Sequence, residues 1–432
     1  MHGLVGSAVA QALAGRPDRP SVTVIGLGYI GLPTAALLAS KGFAVLGVDI
    51  RDDWVAALRD GTAALHEPGL APLVERGLAM GLLHPSRTPG PSDVVLICVP
   101  TPLDPERRPV LDMVFAALDA AAPHCMSGQL IVLESTVPVG TTFKLAERLV
   151  QLRPDLACPG LSAEPDIAIA YCPERALPGR VLAEIDHNPR CVGGLTPACA
   201  ERARDFYASF VSGTVTCTDV RTAELVKLAE NAFRDTNIAF ANELSMLCDQ
   251  LEIDVREVIG LANRHPRVDI LSPGPGVGGH CVAVDPWFAI SAAPDTTRLM
   301  RMARDVNEAK TAHVLARVEA MLARRPQARI ACLGLSFKAD IGDLRESPAL
   351  AIVSRLAERH GGRVCVVEPH IETLPRSLLD NGAALWALED ALAASEIAVL
   401  LVDHAAFKAV PKPARAHLEI LDTRGAWRDL TS

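Results

Sequence analysis

Residues 22–42 read VTVIGLGYIGLPTAALLASKG, and this stretch restricts the fold more tightly than any other in the chain. Four β-branched residues run directly into a G-x-G-x-x-G turn, and a helical pattern opens at the last glycine. In such a turn Gly26 makes the tight bend, Gly28 lets a pyrophosphate approach the backbone, and Gly31 lets helix and strand pack closely. The helix N-terminus then offers N–H donors and the positive end of its dipole to phosphate. Asp49 closes the next apolar run, AVLGVD, 18 residues beyond Gly31, where a carboxylate would accept a hydrogen bond from a ribose 2′-hydroxyl. The glycine pattern alone is no more than a loose turn; with strand, helix and acid in register it predicts a dinucleotide site. Asp49 favours NAD, because the 2′-phosphate of NADP would face a carboxylate. Arg51 is a counter-signal, read here as an exposed arginine at a loop edge.

Further apolar runs at 93–99 (DVVLICV) and 130–135 (LIVLES) alternate with helical patterns such as DMVFAALDAAA. Alternating strands and helices predict a doubly wound α/β sheet. From about residue 220 the pattern is helical for some thirty residues, EVIGLANRH follows, and another long helix is expected near 297–324. Strand logic returns at 328–337, 362–369 and 396–403, and RIACLGLSFK echoes VTVIGLGYIG. The expected fold is α/β, two Rossmann-like doubly wound domains joined by a long-helix central region. The boundaries are a 1–20 extension, a 21–215 cofactor domain, a 216–315 helical region and a 316–432 second α/β domain. With 432 residues there is ample chain for two to three domains. A net charge of −9 argues against nucleic acid. Eleven cysteines without a C-x-x-C pair read as reduced thiols of a cytoplasmic protein, with no metal site. No apolar run is long enough to cross a bilayer, and MHGLVGSAVAQALAG lacks the basic start of a signal peptide.

The second constraint on function is PGPGVGGHCVAVDPWF, residues 273–288, with four glycines and three prolines in sixteen positions. Glycines at 274, 276, 278 and 279 expose backbone to close approach by a ligand, with His280 before Cys281 and Asp285 four residues after it. A lone cysteine is more often a small buried hydrophobe; in this loop it is a candidate nucleophile. A thiol beside a nicotinamide could add to an aldehyde as a thiohemiacetal, from which a second hydride leaves. Lys227 and Asn231 are four residues apart on one helix face, among Leu225, Leu228, Ala229, Ala232 and Phe233. Taken alone they are a solvated lysine and a polar neighbour; in company with Cys281 they could hold an oxyanion.

The segments VTVIGLGYIGLP, HEPGL, ESTVPVGTT, YCPERALPG, AELVKLAENAFRDTNIAFANEL, LANRHPRVDILSPGPGVGGHCVAVDPWF and GLSFKADIGDLRESPAL together resemble the UDP-glucose/GDP-mannose dehydrogenases. The resemblance covers roughly residues 21–430. GGHC with NRHPRV upstream resembles the N-acetylmannosamine branch, where UDP-glucose enzymes usually read GGSC. By position it implies Cys281 as the nucleophile that forms thiohemiacetal and thioester. Lys227 and Asn231 would steady the oxyanion, Asp285 and Thr136 would order water, and Glu174 would be the base for thioester hydrolysis. Tyr29 and Ile30 within the glycine turn, Thr101, Thr136 and Arg345 would contact NAD. Arg175, Lys227, Asn231, Gly278 and Lys338 would contact the sugar nucleotide, and Arg267 would enter a partner subunit's site.

The resemblance implies oxidation of a sugar C6 hydroxyl to a carboxylate with two NAD⁺ and one water. The implied substrate is UDP-N-acetylmannosamine, with UDP-N-acetylglucosamine as the nearest alternative. The product would serve surface polysaccharide assembly, and the long helices would form a homodimer core or part of a larger homo-oligomer. Two rivals are a two-electron hydroxyacid dehydrogenase, which also places Lys-x-x-x-Asn on a helix but needs no cysteine, and a nucleotide-sensing scaffold without turnover. The scaffold reading predicts loss of Cys281, Lys227, Asn231 or Glu174, and all four are present.

Overall fold

The computed structural model describes residues 19–65, 67–177 and 179–427, so nearly all of the N-terminal extension lies outside the described residues. The chain divides into two compact units, one running through Ala229 and the other from Glu230.

In the first unit an eight-stranded sheet has the order β3-β2-β1-β4-β5-β6-β7-β8. The strands are β1 (Val22–Ile25), β2 (Val45–Val48), β3 (Leu83–Ser86), β4 (Val94–Ile97), β5 (Leu130–Leu133), β6 (Ala168–Tyr171), β7 (Arg190–Gly194) and β8 (Val215–Asp219). β1, β2, β4 and β5 are buried at every position, which is why they read as unbroken apolar runs. Chain order reverses between β1 and β4, the place where such sheets bind ligands. The sheet is mixed: β6 pairs antiparallel with β7, and β8 then extends the sheet beyond the strands read from the sequence. Two apolar layers cover its faces, one built on Val22, Val24 and Leu38, the other on Ile25, Ile97 and Leu133.

The second unit holds a five-stranded parallel sheet of order β11-β10-β9-β12-β13. Its strands are β9 (Ile330–Leu333), β10 (Val364–Val367), β11 (Ala384–Leu385), β12 (Ile397–Leu400) and β13 (Glu419–Asp422). The helices Val255–Ala262, Asp285–Ala292 and the 27-residue Arg298–Arg324 precede it. The sequence echo is a structural one: Gly334 turns with φ +95° after β9, as Gly26 does with φ +93° after β1.

The helix expected from about residue 220 is Val220–Leu251, 32 residues long. Its first turns belong to the first unit. There the fully buried Glu224 accepts hydrogen bonds from Gly140 N (2.5 Å), Thr142 N (2.8 Å) and Thr142 Oγ1 (2.7 Å). The carboxylate thereby caps the helix Thr141–Leu152, whose own N-cap is Gly140. Glu224→Ala would strand these donors in the core and lower stability by about 3 kcal/mol, read as a shift of the urea unfolding midpoint. A variant as stable as the parent would mean the cap contributes nothing.

Candidate functional site

The glycine turn fits a dinucleotide on structural grounds. A side chain at Gly31 would place Cβ 1.8 Å from Gly26 O, so this glycine is demanded by packing. At Gly28 a Cβ would meet nothing within 4 Å, and its φ is not positive, so nothing in the protein itself requires a glycine there. A ligand pressed against the backbone does. The helix Gly31–Ser40 has no acidic residue in its first turn and no side-chain cap, leaving its positive end for phosphate. Tyr29 is exposed and Ile30 half-buried in the turn, while Thr101 and Thr136 lie half-buried in the loops after β4 and β5.

Asp49 follows β2 and is buried, its Oδ2 accepting from Leu27 N of the glycine turn (3.1 Å). Arg51 is exposed at the loop edge, as expected, and is also tied to Asp49. Its backbone N–H and Nε both donate to Asp49 Oδ1 (3.0 and 3.1 Å), and its guanidinium lies 5.0 Å from the Trp54 ring centre. The pair fixes the Asp49 carboxylate and offsets its charge.

Glu174 follows β6 and is clamped. Oε1 accepts from Arg175 N and Ala176 N, both at 2.6 Å, and Oε2 accepts from both terminal nitrogens of Arg190 at 3.3 Å. Its backbone carbonyl accepts from Lys227 Nζ at 2.6 Å, and Lys227 is 8% exposed. Glu174 therefore positions the lysine ammonium through the main chain, a role the sequence did not suggest. Arg175, expected to meet substrate, sends its guanidinium to the carbonyl of Pro189.

Arg190, on β7, and Glu134, at the end of β5, are the functional-site residues that sequence reasoning missed. Arg190 stacks 5.4 Å from the Tyr207 ring, Tyr207 Oη donates to Glu134, and Cys98 Sγ lies 3.1 Å from Glu134 Oε2. Only the LES and PER segments hinted at carboxylates here; their basic partner is 16 residues downstream of Glu174. Burial, first, holds the Glu134 carboxyl above the usual range against the pull of Arg190, and it pushes the Cys172 thiol up to about 12.

In the second unit Asn231 Nδ2 donates to Asp285 Oδ2 at 2.5 Å, and Asp285 is 3% exposed. Asp285 starts the helix Asp285–Ala292, and its N–H donates to Cys281 O at 2.8 Å, so the cysteine sits in the turn entering that helix. Cys281 is exposed; the other ten cysteines are buried or half-buried, and no disulfide is present among them. A thiol near a helix N-terminus is favoured as thiolate. Leu225 and Phe233, expected to wall in Lys227 and Asn231, point outward at 48% and 69% exposure, while Leu228 and Ala232 are buried.

The glycine loop is wrapped mainly around protein. A Cβ at Gly278 would fall 2.2 Å from Glu346 O, at Gly279 2.8 Å from the Phe337 ring, and at Gly276 2.5 Å from Thr311 Oγ1. Packing thus accounts for Gly278, which had been assigned to substrate. Arg345 pairs with Asp343 (Nε–Oδ1 2.8 Å). Its guanidinium lies within electrostatic reach of His280, which is held below the usual imidazole value by burial and then by Arg345. Lys338 is exposed in the loop after β9, and Arg267 is exposed in the turn after the helix Val255–Ala262.

Among the described residues one group, Asp340, His370 and His404, has metal-like spacing. His404 Nδ1 accepts the Asp340 N–H at 2.9 Å and Nε2 faces Glu368 Oε2 at 3.2 Å, so its lone pair is already used. The group is a buried histidine held by hydrogen bonds to its neighbours.

The Glu134 carboxyl gives a pH test. In the unfolded chain it ionises in the ordinary glutamate range, whereas the fold keeps its proton to higher pH. Its stabilising contribution is therefore full below that range and is lost as pH rises toward the folded value. Glu134→Gln removes the titration, so its thermal midpoint should gain on the parent as pH rises above the ordinary glutamate range. A constant difference would show that Glu134 is ionised in the fold.

Comparison with known proteins agrees with this geometry. Residues 20–211 match the NAD binding domain of the UDP-glucose/GDP-mannose dehydrogenase family, 221–309 its central domain and 331–429 its UDP binding domain. The chain is 51% identical to an NDP-N-acetyl-D-galactosaminuronic acid dehydrogenase of Ralstonia nicotianae, over 95% of this chain and 97% of that one. It is 47% identical to the UDP-N-acetyl-D-mannosamine dehydrogenase of Escherichia coli, over 94% and 99%. The solved UDP-N-acetyl-mannosamine dehydrogenase of Pyrococcus horikoshii superposes with a TM-score of 0.84 at 36% identity, covering 95% of this chain and 96% of that one. The chain belongs to the UDP-glucose/GDP-mannose dehydrogenase family and is an NAD-dependent UDP-sugar dehydrogenase.

Proposed function

We propose that the protein oxidises the C6 hydroxyl of UDP-N-acetyl-D-mannosamine to the carboxylate through a covalent intermediate on Cys281. The observation that carries the reading is that Cys281 alone among the eleven cysteines is exposed, at the entry to a helix whose first residue, Asp285, is held by Asn231. NAD, when bound, supplies the hydride acceptor for both oxidations. The Cys281 sulfur adds to the aldehyde carbon, and the resulting oxyanion is held by the Lys227 ammonium and the Asn231 amide. Loss of hydride from this adduct leaves a thioester. Water ordered by Asp285 and Thr136 attacks its carbonyl, the C–S bond breaks, and Cys281 is released with the sugar acid. Covalent retention keeps the aldehyde from escaping between the two oxidations. Glu174 serves by clamping the segment whose carbonyl holds Lys227. Lys338 and Arg267 are assigned to the sugar nucleotide and Arg345 to the cofactor end of the reacting centre.

The product, a UDP-N-acetylmannosaminuronate, would feed surface polysaccharide synthesis. The relatives from Escherichia coli and Pyrococcus horikoshii support the mannosamine substrate by name. The Ralstonia relative favours a second reading, the galactosamine epimer, with the same chemistry. A homodimer is the assembly proposed. Phe233, Phe240 and Leu247 are exposed at seven-residue spacing on the long helix, a stripe that a second copy would cover.

The test is NADH formation on UDP-N-acetylmannosamine beside the galactosamine, glucosamine and glucose analogues. Two NADH per UDP-N-acetylmannosamine, with kcat/KM well above the others, is the expected result. Preference for the galactosamine sugar at the same stoichiometry would keep the chemistry and replace the substrate. Cys281→Ala should lower net acid formation by about 10³-fold or more; full turnover would overturn the covalent route.

A further inference from the structure

The second unit contains a cavity of about 350 Å³ that none of the assigned catalytic or substrate residues lines. Its walls come from Ser245 on the long helix, Lys310 and Arg317 on the helix Arg298–Arg324, Arg256, and Asp422 with Trp427 at the end of the sheet. The volume is in the range of small-molecule sites.

The charges around it are unevenly matched. Every acid in the lining is already engaged. Asp249 accepts from His313 Nε2 (2.8 Å) and Arg317 Nη1 (2.7 Å), and Asp254 accepts the N–H of Arg256 (2.9 Å). Asp422 accepts the N–H groups of Arg424, Gly425 and Trp427. Two cations are not matched in this way. Lys310 is 5% exposed and, among the described residues, its ammonium donates only to the hydroxyl of Ser245, at 2.7 Å. Among the described residues no acceptor meets the half-buried guanidinium of Arg256. Burial, aided by Arg317 and Arg256 and opposed by Asp249, brings the Lys310 ammonium down to about 8. A buried lysine with no carboxylate in hydrogen-bond contact is costly unless something supplies one.

We propose that this cavity binds a phosphoryl-bearing anion, with Lys310 and Arg256 as its cationic ligands, at a site separate from that of the substrate. A phosphoryl group offers several acceptor oxygens, enough for an ammonium and a guanidinium at once. Ile253, Val255 and Val314 give the remainder of the cavity apolar wall for the body of such a ligand. Pro273 also lines the cavity, and the next residue, Gly274, donates to Asn242 Oδ1 at 2.9 Å. The site therefore abuts the start of the loop that carries Cys281.

Isothermal titration with inorganic pyrophosphate tests the site, on wild type, Lys310→Met, Arg256→Gln and, as the control for substrate binding, Lys338→Met. Wild type should bind at a position whose affinity falls at least about tenfold in both cavity variants and is unchanged in Lys338→Met. Lys310→Met, which replaces a buried ammonium by an apolar chain, should also unfold at higher temperature than ligand-free wild type. If UDP displaces pyrophosphate from the Lys310-dependent position, the occupant is a nucleotide; if it does not, the occupant is a free phosphate or pyrophosphate. Wild-type binding by Lys310→Met would overturn the proposal. So would a single position lost equally in Lys310→Met and Lys338→Met, since the cavity would then belong to the substrate site.

Discussion

The site depends on the polar side chains buried along the helix Val220–Leu251. A polar group can be buried only where it finds a partner, so each such residue fixes the rotation and height of the helix. Glu224 and Lys227 do this in the first unit, through the Gly140–Thr142 turn and the Glu174 carbonyl. In the second unit Asn231 meets Asp285, and Asp235 accepts from Arg304 (2.6 Å) and Asn307 (2.8 Å). Asn242 donates to Asn307 (2.9 Å) and accepts from Gly274 at the head of the glycine loop. Lys227 and Asn231 lie four residues apart on this helix, each held by a partner in its own unit.

The two sheets show how one local design serves different ends. After β1, Asp49 receives Leu27 N–H and remains at the rim of the glycine turn. After β10, Glu368 receives Leu335 N–H (2.7 Å) and Ser336 N–H (3.1 Å) in the same relation to the turn after β9. There the fully buried His404 seals the carboxylate from above. The first acid stays at the rim of its turn; the second is consumed by the fold. The second turn therefore lacks the feature by which the first would grip a dinucleotide.

The dinucleotide turn and the long helices were legible because their signals are local: period, glycine placement and β-branched runs lie within twenty residues of one another. β7 (RCVGG) and β8 (VTCTD) escaped notice because they carry little apolar pattern and take their pairing from each other. Arg190 escaped for the same kind of reason, since nothing near it in sequence marks a partner for Glu174. The glycine loop was read as open to a ligand, whereas Glu346, Phe337 and Thr311 occupy the space that side chains at 278, 279 and 276 would need. Loop composition shows that something approaches closely; only the fold shows what. Cys281 was singled out from its loop, and its exposure against ten buried or half-buried cysteines is the fact that sequence could not supply.

The central claim is that chemistry passes through the Cys281 sulfur. It is tested most directly by treating the protein with limiting iodoacetamide and mapping the label by peptide mass spectrometry against residual NADH production. The account predicts that Cys281 takes the label first, that activity falls in proportion to its modification, and that nucleotide-sugar substrate protects it. Full activity with Cys281 alkylated, or loss of activity that follows another cysteine, would contradict it.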